Sequence, residues 1–239
     1  MRKGGGFSVV QSLKRLTMTK LTASSLTKAD LETVVTLHEQ GIDDYDWLQV
    51  SSIPVTGAEE QRLQYLQGDL LKCQVQLLNE STVWARAIYP LLLLSEQRGI
   101  QAWSGVPLKA KYAQFEIDSV ADGAIGRTAS GSIEAPFMVV VEAKKGIEAQ
   151  NPLFQLYAEL LAAARLNWQR QPNAPQEIFG CYTIADSWTF LRGEISDIET
   201  EKPRLYVECS REYVEKLEAT TIFRILRHIV SRFTKDLAS

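Results

Sequence analysis

The chain has 239 residues, 26 Lys and Arg against 29 Asp and Glu, a net charge of −3, and 45% hydrophobic residues. That length and apolar content fit one globular domain with a full core, and the acidic balance excludes a surface that binds nucleic acid indiscriminately, so any basic region must be local. No apolar run is long enough for a membrane span, and Cys73, Cys181 and Cys209 are odd in number and widely spaced, as expected of reduced thiols in a cytoplasmic protein rather than disulfides or zinc ligands.

Residues 1–29 read as a flexible basic arm. They are rich in Gly, Ser and Thr, carry Arg2, Lys3, Lys14, Arg15 and Lys20, and contain no acid before Asp30. A transit peptide shares this composition, and Met18 is an alternative start. Residues 30–239 then read as a single domain with helical extensions at both ends. A short helix opens at Asp30 as N-cap, and Ile42 to Thr56 is an acidic, aromatic connector with room for an edge strand. Helical spacing covers Glu59 to Leu78 and Ser81 to Gln97, where Pro90 must kink or split the helix. Val106 to Val120 and Ala121 to Thr128 read as strands, the first an edge strand because of Pro107. Thr128 to Pro136 is a Gly/Ser connection, and Phe137 to Lys145 is the central strand. Pro152 stands in the first turn of a helix that runs to about Gln169. Ile178 to Ile184 and Ser187 to Ile195 form a hairpin turning at Ala185-Asp186, Leu205 to Cys209 is a short strand, and Arg211 to Asp236 is helical. The class is α/β, a mixed central sheet flanked by helices.

The chemistry is concentrated between Phe115 and Leu160. Phe137 to Val141 is an apolar, β-branched run suited to a strand buried on both faces, and it ends in Glu142 and Lys144, two positions apart and therefore on one face. A buried carboxylate and ammonium are costly unless paired or bound to a metal. Ahead of them stands Ala-Asp-Gly-Ala-Ile-Gly-Arg from Ala121 to Arg127. His38 and His228 lack ligand-spaced partners, and Gly4 to Gly6 lacks the Gly-Lys-Ser/Thr ending of a phosphate loop. Trp103 and Trp188 read as packing residues.

A helix bearing Glu80, a strand bearing Asp122, a strand closing on Glu142-Ala-Lys144 and a helix carrying Gln155 together resemble the PD-(D/E)XK nuclease superfamily. Asn79 to Leu92 with Val141 to Lys145 is most similar to the N-terminal nuclease domain of type I restriction motor subunits, over roughly Glu80 to Glu194 and without the motor. The resemblance implies a restriction-endonuclease-like core, Asp122 and Glu142 as ligands of Mg2+ or Mn2+, Glu80 as a longer-range ligand, and Lys144 and Gln155 as catalytic partners. It departs from the family in two places. Ala121 replaces the Pro before the aspartate, with Asp118 a second candidate for that role, and Gln155 is followed by Tyr157 and Glu159 where the family pairs Gln with Tyr four residues on.

Phosphodiester hydrolysis needs cations at the attacked phosphate and an activated water, which magnesium on one or two carboxylates supplies. The expected partner is nucleic acid, DNA first, with a homodimer or a partner subunit left open and no membrane. Arg127, Lys145 and Lys111, with Lys109, are the expected phosphate contacts. The basic residues of the final helix, Arg224, Arg227, His228, Arg232 and Lys235, interleave with apolar ones as in a docked amphipathic helix. The alternative is a catalytically inactive nuclease-like module that binds nucleic acid or a protein partner.

Overall fold

The computed structural model describes residues 18–147, 151–172 and 175–234; the first seventeen residues of the expected arm, and Lys235 of the final helix, lie outside them. An eight-stranded mixed sheet is flanked by helices on both faces. Its strands are β1 (Thr19–Thr22), β2 (Thr36–Ile42), β3 (Ile100–Lys111), β4 (Phe115–Ala129), β5 (Ser132–Lys144), β6 (Gln176–Ile184), β7 (Ser187–Ser196) and β8 (Arg204–Val214). They lie in the order β1-β4-β5-β6-β7-β8-β2, with β3 on the other edge of β4. The helices are α1 (Lys28–Val34), α2 (Gly57–Leu70), α3 (Glu80–Val83), α4 (Tyr89–Leu94), α5 (Leu153–Arg170) and α6 (Glu215–Thr234).

The middle of the chain sets the site. β3, β4 and β5 form an antiparallel meander, α5 crosses over, and β6 returns parallel to β5. β5 is buried on both faces from Phe137 to Ala143, as its uninterrupted apolar run requires. One face packs on α5, whose Leu156, Leu160 and Ala163 meet Val140 and Ile178. The other packs on α2, α4 and α6 through Val139, Val141, Leu92, Phe223 and Ile229.

Several boundaries differ from the sequence reading. The arm ends sooner than residue 29, because Thr19–Thr22 adds in parallel to Phe115–Asp118 of β4 and buries Leu21. Asp30 is not the N-cap of α1; Thr27 is, and Asp30 closes the capping box from the third helical position. The edge strand is Thr36–Ile42, parallel to β8, and the Ile42 to Thr56 connector contains only a single 3-10 turn at Asp46–Leu48. α2 stops at Leu70 because the following segment is drawn to the end of β5: Gly146 packs so closely on Gln76 that a Cβ would lie 2.7 Å from its backbone.

The first two strands of the meander divide elsewhere than read: the stretch read as one strand from Val106 to Val120 turns at Tyr112 to Gln114, a turn without Gly or Pro, so β3 starts earlier, at Ile100, and β4 runs from Phe115 through the strand read from Ala121 to Thr128. Pro107 does sit on an edge strand, since among the described residues β3 pairs only with β4. The Gly/Ser connection shrinks to Ser130-Gly131, with φ of 52° and 77°, the left-handed pair of a tight hairpin turn. β8 continues to Val214 before α6 begins. Pro90 disturbs its helix upstream: Trp84–Ile88 is a π turn in which the Tyr89 N–H reaches the Trp84 carbonyl five residues back. No helix among the described residues is long and apolar enough to cross a membrane.

Candidate functional site

The pairing of β4 with β5 ends at Gly123 and Val141. Beyond that point β5 continues alongside β6 as far as Lys144, and β4 continues alongside β3, so the two strands diverge. Asp122 is the first residue of β4 inside the fork. Its Oδ2 accepts the Ala143 N–H at 2.8 Å, so the carboxylate satisfies a donor that the ladder no longer uses. β4 changes phase here: Phe115, Ile117 and Ala121 face α5, and then Ala124 does. Opposite Asp122 on β3 stands Gly105, at φ 61°, between the paired residues Ser104 and Val106.

Glu142 is 1% exposed and bonded through Oε1 to the Lys144 ammonium, while its Oε2 has no partner among the described residues. Glu159 of α5 is fully buried near it. Glu159 Oε1 accepts from Ser119 Oγ at 2.9 Å and from Gln155 Nε2 at 3.3 Å, and among the described residues its Oε2 is also without a partner. Three carboxylates thus share one half-buried ammonium.

The electrostatics follow from that shortage. Burial, then the charges of Glu159 and Asp122, push the Glu142 carboxyl well above the glutamate range, and Lys144 reverses this only in part. Burial raises Glu159 as well, against the hydrogen bonds from Ser119 and Gln155. It raises Asp122 against the Ala143 N–H and the Lys144 charge. Burial alone would lower Lys144, but its hydrogen bond to Glu142 and the charges of Glu142, Glu80 and Asp122 leave it above its ordinary value, hence protonated at neutral pH.

The structure thus brings Asp122, Glu142, Lys144 and, through Glu159, Gln155 to one place. Glu80, the first residue of α3, lines a cavity of about 260 Å³ together with Asp122 and Ala143. Asp118 is turned away to the surface, 3.3 Å from Lys109 and 4.0 Å from Lys20. Lys145, exposed, directly follows the end of β5. Arg127 and Lys111 are not gathered with it. Arg127 lies five residues along β4 from Asp122, about 17 Å at strand rise, and Lys111 pairs with Glu116 at the far end of the meander. The basic face of α6 is docked: Arg227 binds Glu59, and Arg232 binds Glu177 at 2.7 Å. Trp188 is fully buried, with its Nε1 on Glu215, and Trp103 Nε1 donates to Thr128.

Two residues escaped the sequence reading of the site. Glu159 carried a signal, since it is the one charged residue between Leu156 and Ala164 of an otherwise apolar helix face and stands one turn after Gln155. Ser119 carried none, because its role depends on α5 lying over β4.

No group of three or more His, Cys, Asp or Glu among the described residues is arranged to hold a metal ion. Magnesium asks for less, since one or two carboxylates and a substrate phosphate suffice. Asp122 and the unpartnered Glu142 Oε2, flanking the Ala143 peptide, fit that demand. No family model and no curated protein matches the chain.

Proposed function

We propose that the chain is a magnesium-dependent nuclease that hydrolyses phosphodiester bonds, with DNA as substrate. The observation that carries this reading is the fork between β4 and β5, where Asp122, Glu142 and Lys144 meet and a buried carboxylate oxygen of Glu142 is left without a partner. Structural ion pairs complete their bonding, whereas here a buried Glu142 oxygen is left over one residue from Ala143, which lines a cavity with Asp122. The succession of α3 to α4, β3, β4, β5, α5 and β6 agrees with the helix, three strands, helix and strand of the PD-(D/E)XK resemblance.

In this reading Asp122 and Glu142 hold Mg2+, which would neutralise the attacked phosphate and acidify a bound water. Lys144, protonated at rest, pairs with the phosphate or holds the attacking water in place. Glu159, with Ser119 and Gln155, fixes the buried side of Glu142, and Glu80 faces the metal across the cavity. One observation favours the inactive module instead: Lys144 already occupies Glu142 Oε1.

Calorimetric titration of Mg2+ or Mn2+ into the protein separates the readings. Saturable binding that disappears in both Asp122→Ala and Glu142→Ala, with their melting temperatures equal to or above the parent's, is the expected result. Metal affinity untouched by either substitution would remove the site assignment. Lys144→Ala should keep metal and lose DNA cleavage; cleavage undiminished in that variant excludes a catalytic lysine.

A further inference from the structure

The cavity beside the fork has a floor that the phosphodiester chemistry does not use. Trp84 lines it along with Glu80, Ser81, Ser104, Val120 and Asp122. The indole is held from three directions. Its Nε1 donates to Ser104 Oγ at 3.0 Å, its ring stacks on Tyr89 with 5.7 Å between centroids, and its edge covers Gly123, where a Cβ would fall 2.5 Å from Cη2. Tyr89 is itself anchored, its hydroxyl donating to the Ala102 carbonyl at 3.2 Å. An aromatic ring fixed in this way loses no side-chain freedom when a second flat ring packs on it.

The polar lining selects among ligands. Glu80, Asp122, Ser81 and Ser104 present acceptors and hydroxyls, and none of the described residues lining the cavity is Lys or Arg. A phosphate would be repelled there, while the N–H and O–H groups of a base and sugar would find acceptors. The volume of about 260 Å³ suits a single such unit. Asp122 and Ala143, joined by the Ala143 N–H, line the cavity together with Trp84, so a phosphate held by a cation on Asp122 would leave its own nucleoside facing Trp84.

We infer that this cavity is a nucleoside subsite, in which the base of the nucleotide next to the scissile phosphate stacks on Trp84. The inference rests on the nuclease reading for the position of the phosphate. It makes the preferred substrate a strand whose base at that position is free to leave its neighbours, at an end or in single-stranded DNA, because a base inside a duplex cannot enter the cavity.

The test is calorimetric titration of 2′-deoxyadenosine 5′-monophosphate, with Ca2+ present, into the whole chain and into Trp84→Leu, Trp84→Phe and Ser81→Phe. Ser81 is exposed on the cavity rim, so its replacement fills the space without entering the core. The expected result is saturable binding that weakens at least ten-fold in Trp84→Leu and Ser81→Phe and survives in Trp84→Phe, on the scale of one lost base stack. Binding equal to the parent's in a folded Ser81→Phe protein overturns the subsite, and so does a parent protein that binds Ca2+ but no nucleotide at millimolar concentration. Titration of Ca2+ alone is the separate readout for the cation site: its loss in Asp122→Ala but not in Ser81→Phe distinguishes failure of the subsite from failure of the nuclease reading.

Discussion

At the scale of single residues, the chain buries more acid than it neutralises, and not only in the fork. Glu215 opens α6 fully buried, its Oε2 accepting from Trp188 Nε1 at 2.9 Å and its Oε1 unpartnered among the described residues, beside the equally buried Asp186. Burial, and then the Asp186 charge against the Trp188 hydrogen bond, holds the Glu215 carboxyl well above the glutamate range. The folded protein therefore keeps a proton that the unfolded chain releases at about pH 4.3, and stability falls as pH rises above that value. Glu215→Gln, which keeps the acceptor for Trp188, should melt close to the parent at pH 4 and increasingly above it toward pH 8. A gap that stays constant with pH would contradict a protonated Glu215. Gly123→Ala should lower stability by about 1–3 kcal/mol, since the new methyl group must displace the Trp84 ring; thermal melting gives the measurement. Asp122, Glu142 and Lys144 were legible as residues because charges at the end of an apolar strand stand out. The cluster they form with Glu159 and Ser119 was not, because it depends on which helix covers the strand.

At the scale of elements, what could be read was whatever periodicity alone determines. The apolar run of β5, the Leu- and Ala-rich α5, the hairpin of β6 with β7 and the amphipathic α6 all lie close to their sequence positions. Elements decided by distant contacts were misread: β2 is a strand because β8 offers it an edge, and α2 ends where Gln76 is pulled onto Gly146. The start of α2 shows how a local signal and a distant one combine. Thr56 and Glu59 form a capping box, and Glu59 also binds Arg227 of α6. Burial would raise the Glu59 carboxyl, but the Thr56 hydrogen bonds and Arg227 bring it below its usual value. This contribution is present above the ordinary glutamate pKa and is lost as pH falls through the lowered one. Thr56→Ala should cost about 1 kcal/mol at neutral pH, measured by denaturant unfolding. A loss several times larger would mean that α6 undocks with the cap.

At the scale of the whole molecule, the sheet consists of two antiparallel meanders, β3-β4-β5 and β6-β7-β8, joined where β5 runs parallel to β6. The candidate site lies at this junction, beside the place where one strand leaves its neighbour, and crevices at such changes of strand order are where open α/β sheets commonly take their ligands. The two strands that complete the sheet, β1 and β2, come from neighbouring parts of the chain yet lie at opposite ends of the strand order. In space they are closer than that order implies, because residues 116–118 of β4 pair with β3 on one edge and with β1 on the other, the edge that β5 uses further along; β1 therefore stands about four strand spacings, roughly 19 Å, from β2, within the ~30 Å reach of the segment 23–35 that carries α1. Its Leu31, Val34 and Val35 pack into the same cluster as α5. The segment is therefore a chord drawn across the α5 face, linking a strand on β4 to a strand on β8. Cutting that chord anywhere along its length would loosen β1 and β2 together, and loss of either uncovers backbone, on β4 or on β8, to which a strand of a second molecule could add.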